Sequence, residues 1–151
     1  SAEQAQLLSD LGALVREAER VGLPVIVHAY PCGECVPPEE RYSAERVAYA
    51  SRLAMELGVD IVKTFYTGSA ETFARVVEVA APALVVAAGG PRLETNADVL
   101  QMAYDVVQAG AAGITFGRNI WQSGNTGGVI QALKRVLHEG VSAGEALQGL
   151  G

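Results

Sequence analysis

Among the 151 residues of this chain, Lys63 has the type and setting that most directly suggest covalent chemistry. It is one of two lysines and lies inside Asp60-Ile61-Val62-Lys63-Thr64-Phe65, a mostly apolar run of strand length. An ammonium in such a run is costly unless it is paired or neutral. Desolvation favours the free amine, and a free lysine amine is a nucleophile toward carbonyl carbon. A strand-end lysine paired with an inward carboxylate would give the same pattern, so the residues alone leave both readings open. Lys134 falls on a helical stretch and reads as a solvated surface residue.

Other polar groups sit at equivalent places. Gly89-Gly90 and Gly117-Arg118-Asn119 each end an apolar run. Glycine amides in such loops can bind phosphate, with Ile120-Trp121-Gln122 as a short helix behind them and Arg118 as a charged donor. Two ordinary glycine turns are the competing reading. Tyr30 ends the first apolar run, where a phenol can relay a proton, or simply pack at a rim. His28 lies two residues earlier and shares its face, as a pocket residue or a core histidine. Cys32-Gly33-Glu34-Cys35 is a C-x-x-C with no second pair, so a zinc site is incomplete even with His28 as a third ligand. Prolines follow at 37 and 38 instead of the helix expected after a redox pair, and an ordinary loop is the simpler reading.

The elements that must hold these residues alternate. Apolar spacing at Leu7, Leu8, Leu11, Leu14 and Val15 predicts a helix over Ala2 to Arg20. Strands are expected at Leu23 to Ala29, Asp60 to Tyr66, Ala83 to Ala88 and Gly113 to Gly117. Between them, Ser43 caps a helix to about Leu57 and Ser69 caps one to about Ala80. Thr95 with Asp98 resembles a capping box, for a helix ended by Gly110. A helix from about Gly128 to His138 follows, and Ser142 with Glu145 opens a short last one. Strands rich in Val and Ile and apolar on both faces, three of the four preceded by a helix ending at Gly, indicate a parallel α/β sheet covered by helices. No G-x-G-x-x-G follows a strand, which disfavours the dinucleotide-binding open sheet. Polar residues at the carboxyl ends of the strands favour a (βα)8 TIM-barrel type, of which four strands are half.

Composition narrows the setting. Hydrophobic residues make up 50% and charged residues 19%, as in a soluble globular protein with a substantial core. Seventeen acids against eleven bases give a net charge of -6 without a basic cluster, so neither nucleic acid nor an anionic membrane is an expected partner. There is no apolar run of membrane-spanning length and no signal-peptide plan, and two cysteines do not suggest a disulfide scaffold. A cytoplasmic enzyme is expected.

Several segments together resemble the archaeal-type class I fructose-bisphosphate aldolases and their heptulosonate synthase and autoinducer-processing thiolase relatives. They are Ala29-Tyr30-Pro31, Glu56 through Thr64, Tyr66-Thr67-Gly68, Gly89-Gly90-Pro91 and Gly117-Arg118-Asn119-Ile120-Trp121-Gln122 with Phe116 before it. The likeness runs from about residue 7 to the end. It implies that residues 1–151 supply strands five to eight of the barrel, as one domain or a fragment. It implies Lys63 as the Schiff-base lysine, Tyr30 as the proton-transfer tyrosine, and Gly89, Gly90, Gly117 and Arg118 as phosphate-binding positions. The activity implied is a metal-independent and cofactor-free lyase reaction on a ketose phosphate such as fructose 1,6-bisphosphate, as in glycolysis. A transaldolase-like 2-amino-3,7-dideoxy-heptulosonate synthase or a noncatalytic phospholigand-binding half-barrel are the alternatives. The expected partners are the phosphorylated sugar and either further copies in a homo-oligomer or an upstream half-barrel. Two departures stand out. Cys32 takes the place of the family's usual arginine in Tyr-Pro-Arg-Gly, and the strands that carry an acidic catalytic residue are not in this sequence.

Overall fold

A computed structural model describes residues 2–150. The elements run α1 (Ala2–Arg20), β1 (Ile26–His28), α2 (Ala44–Glu56), β2 (Ile61–Phe65), α3 (Ala70–Ala80), β3 (Leu84–Ala88), α4 (Asn96–Gln108), β4 (Gly113–Thr115), α5 (Arg118–Trp121), α6 (Thr126–Lys134) and α7 (Ala143–Gln148). A single 3-10 turn, Pro38–Glu40, lies between β1 and α2. The four strands form one parallel sheet in the order β1-β2-β3-β4. Each strand is therefore joined to its neighbour by a helical crossover, which is the repeating βα unit of a barrel.

Local chemistry explains the helix starts. Ser43 and Ser69 accept from the amides of Arg46 and Thr72. Thr95 with Asp98, and Ser142 with Glu145, form reciprocal capping boxes. The carboxylate in the second box is held below its ordinary range by the Ser142 hydroxyl and then by the Ser142 amide. Gly58 and Gly110 sit at φ +87° and +80° and turn the chain from helix into strand.

The core lies between the helices and one face of the sheet. Val85, Ala87, Phe73, Val76 and Val106 are fully or almost fully buried there. Leu100, Val129, Leu133 and Val136 make a second cluster against α4. Val15, Val25 and Val62 make a third beneath α1.

The structure corrects four expectations. The strands are not apolar and buried on both faces, because the face opposite the helices is uncovered and leaves Ile26 and Leu84 each 55% exposed. The apolar stripe of α1 is only partly used. Leu11 and Val15 reach the core, whereas Leu7 stays exposed and Leu14 is exposed beside Val21, Leu23 and Ile26 at the open β1 edge. The helix expected from about Gly128 to His138 starts at Thr126 and widens into a π segment at Arg135–Glu139, ended by Gly140 at φ +71°. The edge strands β1 and β4 are also shorter than expected, three residues each, since each has a ladder on one side only.

Candidate active site

Alternation along parallel strands fixes what shares a face. The register aligns Ile26 with Ile61 and Leu84 in one row across the sheet. The next row is His28, Lys63, Val86 and Gly113. Above it lie Phe65, Ala88 and Thr115. All of these belong to the uncovered face. Val62 and Thr64, the alternate residues of β2, are buried toward the helices, and the Thr64 hydroxyl donates to the Ala29 carbonyl at 2.7 Å. That bond and Ala29 N–H donating to the Lys63 carbonyl at 3.0 Å tie β1 and β2 together around the lysine.

Lys63 is half-buried between Ile61 and Phe65, and none of the ion pairs among the described residues includes it. The reading in which it pairs with an inward carboxylate is thus not what the structure shows. Lys134, by contrast, is exposed on α6. Above Lys63 the chain builds an aromatic wall. Tyr30 stacks on Phe65 with centroids 4.4 Å apart and planes at 17°, and Tyr42 tilts onto the same ring at 4.7 Å. His28 is exposed, not a core histidine, and meets Tyr30 edge-on at 5.7 Å. Burial, and then the neighbouring Cys32, hold the Tyr30 phenol above its ordinary value, so it remains a proton donor across neutral pH.

The glycine loops beyond β3 and β4 are brought together by Asn119. Its amide nitrogen donates to the carbonyls of Gly89 (2.7 Å) and Pro91 (3.3 Å), and its Oδ1 accepts from Leu93 N–H at 2.8 Å. Asn119 is 3% exposed. Arg118 adds a second clasp by donating from Nη2 to the Gly90 carbonyl at 2.8 Å. One guanidinium nitrogen therefore holds a loop, while the exposed remainder faces solvent. The N–H groups of Gly89, Gly90, Gly117 and Arg118 donate to no acceptor among the described residues. Both glycine contacts are close: a Cβ on Gly89 would sit 3.2 Å from the Phe116 Cα, and one on Gly117 would sit 2.5 Å from Trp121.

Two groups escaped the sequence reading. Phe65 lies two residues after Lys63, and strand alternation was signal enough to put it on the lysine's face. Tyr42 carries no such signal, because it arrives from a loop. Asn119 was visible only as a member of its motif, and nothing local announced three tertiary bonds. Among the described residues, no three His, Cys, Asp or Glu side chains are grouped to hold a metal ion. No described helix is long and apolar enough to cross a membrane.

A parallel βα sheet with a lysine on its uncovered face and donor-rich loops at its carboxyl end defines the class: four strands of a βα barrel. Residues 1–123 match the DeoC/LacD family aldolase profile, and the chain belongs to that family. The class 1 fructose-bisphosphate aldolase of Thermoproteus tenax is 38% identical over 142 residues, which are 94% of this chain and 53% of that protein. The 2-amino-3,7-dideoxy-D-threo-hept-6-ulosonate synthase of Halobacterium salinarum is 36% identical over 149 residues, 99% of this chain and 53% of that protein. The crystal structure of an archaeal fructose 1,6-bisphosphate aldolase superposes with a TM-score of 0.86 at 37% identity, over 92% of this chain and 54% of that one. Another such aldolase, with its catalytic lysine covalently bound to the carbinolamine intermediate of the substrate, superposes with a TM-score of 0.82 at 37% identity, over 87% and 52%. The chain spans about half the length of the relatives it matches.

Proposed function

We propose that this chain supplies strands five to eight of a class I aldolase that cleaves or forms a ketose phosphate such as fructose 1,6-bisphosphate through Lys63. The observation that supports this most is the position of Lys63: without an ion pair, on the inner face of β2, in a family whose solved members include one bonded to substrate through lysine. The Lys63 amine attacks the substrate ketone, and loss of water gives an iminium. The iminium draws electrons from the adjacent carbon–carbon bond, which breaks to an enamine and an aldehyde. Tyr30, stacked on Phe65 two residues beyond Lys63, relays the proton that leaves the substrate hydroxyl as it becomes the aldehyde carbonyl, its oxygen accepting that proton as its own passes on to water, and later gives a proton to the enamine carbon. The iminium acts as the electron sink, so the reaction needs no metal. Phosphate docks on the N–H groups of Gly89, Gly90, Gly117 and Arg118, with the free part of the Arg118 guanidinium beside it. The remaining four strands come from an upstream half-barrel or a second chain and carry the acidic residue. The enzyme works in the cytoplasm, in sugar phosphate breakdown.

Heptulosonate synthesis is the second reading, favoured by the Halobacterium salinarum relative, which matches 99% of this chain. It would use the same lysine.

Borohydride trapping with dihydroxyacetone phosphate tests the nucleophile. Peptide mass spectrometry should find a reduced adduct on Lys63 and none on Lys134, and Lys63→Met should abolish it. The trapping is run on this chain and on a longer chain that includes the upstream half. An adduct on the longer chain alone keeps the reaction and makes this half an incomplete site. No adduct on either overturns the Schiff-base reading.

A further inference from the structure

Cys32 and Cys35 play no part in the reaction above, yet Cys32 lies only two residues beyond Tyr30. Both are free and exposed. The loop folds back on itself at this point. Cys32 N–H donates to the Tyr30 carbonyl at 2.9 Å, and Val36 N–H donates to the Gly33 carbonyl at 2.9 Å, closing a turn around Glu34 and Cys35. The two cysteines line one hollow, together with Glu34, Pro37 and Arg41. Arg41 Nε is buried there and has no hydrogen-bond partner. The turn closes Gly33 onto Val36 with Cys35 inside it and Cys32 at its entry, so the two thiols stand three residues apart around one reversal; a disulfide needs their Cα atoms about 4.4–6.8 Å apart. Pro37 and Pro38 stiffen the segment after it, and Tyr42 anchors its far end on Phe65.

We propose that Cys32 and Cys35 form a thiol-exchange site that closes to an intraloop disulfide with a low-molecular-weight disulfide of the glutathione type. The thiolate of one cysteine attacks a sulfur of the small disulfide. An S–S bond forms to the protein, the small S–S bond breaks, and one small thiol leaves with the proton. The second cysteine then attacks the mixed disulfide, the protein's own S–S bond forms, and a second small thiol leaves. The two cysteines together lose two electrons and two protons, and the small disulfide gains both. Arg41 lines the same hollow, which sets a guanidinium charge beside the carboxylates of the incoming peptide disulfide. The second step is fast because the partner thiol is held nearby, at an effective concentration on the order of millimolar or above. Closure tightens the loop whose Cys32 amide holds the Tyr30 carbonyl, so the site joins thiol state to the aromatic wall.

The test treats the reduced chain with oxidised glutathione and follows intact mass and free thiols. The expected product has lost two hydrogens and both titratable thiols, without added glutathione, and a dithiol reductant restores it. Cys32→Ser and Cys35→Ser should each stop at one glutathione adduct, and the double variant should not react. A phenylarsine oxide probe should bind the reduced protein one to one and lose at least tenfold in affinity in either single variant. Wild-type protein that accumulates two glutathione adducts, or only disulfide-linked dimers, overturns the proposal. So does arsenical binding unchanged by the single substitutions. Neither readout depends on the lysine chemistry.

Discussion

Asn119→Ala should be among the most damaging single changes in this chain. The side chain is buried and satisfies three backbone groups in the loop after β3. Truncation strands the Gly89 carbonyl, which is buried, and the Leu93 N–H, which is half-buried. An unsatisfied buried group costs about 1–3 kcal/mol. Pro91 is exposed, and water replaces that longer bond. Water also reaches Leu93, so the sum falls at about 2–4 kcal/mol. With a urea slope of about 2 kcal/mol per molar, the midpoint drops by about 1–2 M. Asn119→Asp separates hydrogen bonding from size. It keeps the acceptor for Leu93 N–H but sets a carboxylate oxygen against the Gly89 carbonyl. The folded state then favours the protonated acid, which raises the pKa of the introduced carboxyl above its unfolded value of about 3.9. The variant should therefore regain stability relative to wild type as pH falls from neutral toward that unfolded value. Equilibrium urea unfolding monitored at Trp121, run at several pH values, reads both effects. An Asn119→Ala change below about 0.5 kcal/mol would refute the account of Asn119 as the clasp of the two loops, since even one stranded buried group costs more.

Three further changes test the same framework. Gly89→Ala presses a Cβ onto the Phe116 backbone and should cost about 1–3 kcal/mol by thermal or urea unfolding, whereas Gly117→Ala meets the exposed Trp121 ring, which can swing away, and should cost less. Tyr66 donates to Asp105 at 2.8 Å, and burial followed by that bond raises its pKa in the folded state. The folded protein then holds the phenolic proton where the unfolded chain loses it, so stability falls as pH rises above about 10. Tyr66→Phe should flatten that alkaline limb and cost about 1 kcal/mol at neutral pH, and an unchanged limb would assign the loss to other groups.

What could be read from the sequence was what local chemistry dictates. Ser43, Ser69, Thr95 with Asp98, and Ser142 with Glu145 mark helix starts because a cap involves residues three apart, and all four are caps in the structure. The parallel order of the strands follows from their helical crossovers. The placement of Lys63 and Phe65 on one face follows from a period of two. Where a residue's fate rests on a distant neighbour, the pattern is silent. Leu7 and Leu14 carry the helix period of buried residues, yet both stay more than half exposed. Tyr42 joins Tyr30 and Phe65 from across a loop, and the π segment after Lys134 has no residue signature. Asn119 stands in a recognisable motif, but its three bonds span 26 to 30 residues.

The row through Lys63 also forms a gradient of side-chain bulk. Across the sheet it reads His28, Lys63, Val86, Gly113, and the row above passes from Phe65 to Ala88 and Thr115. Large rings stand on the β1 side and almost nothing stands on the β4 side. Strands are spaced about 4.8 Å apart, so the ground from β2 to β4, on which nothing larger than Val86 stands in these rows, is roughly 10 Å wide. In the reaction proposed above, a molecule tethered to the lysine amine is therefore walled off on one flank and free to lie down along the other. Its far end is directed toward the unbonded amides of Gly117 and Arg118. Direction is thus written into this face by size alone, before any charge acts. Under the proposed function, enlarging Ala88 would shorten the longest molecule the lysine can carry without touching the lysine itself.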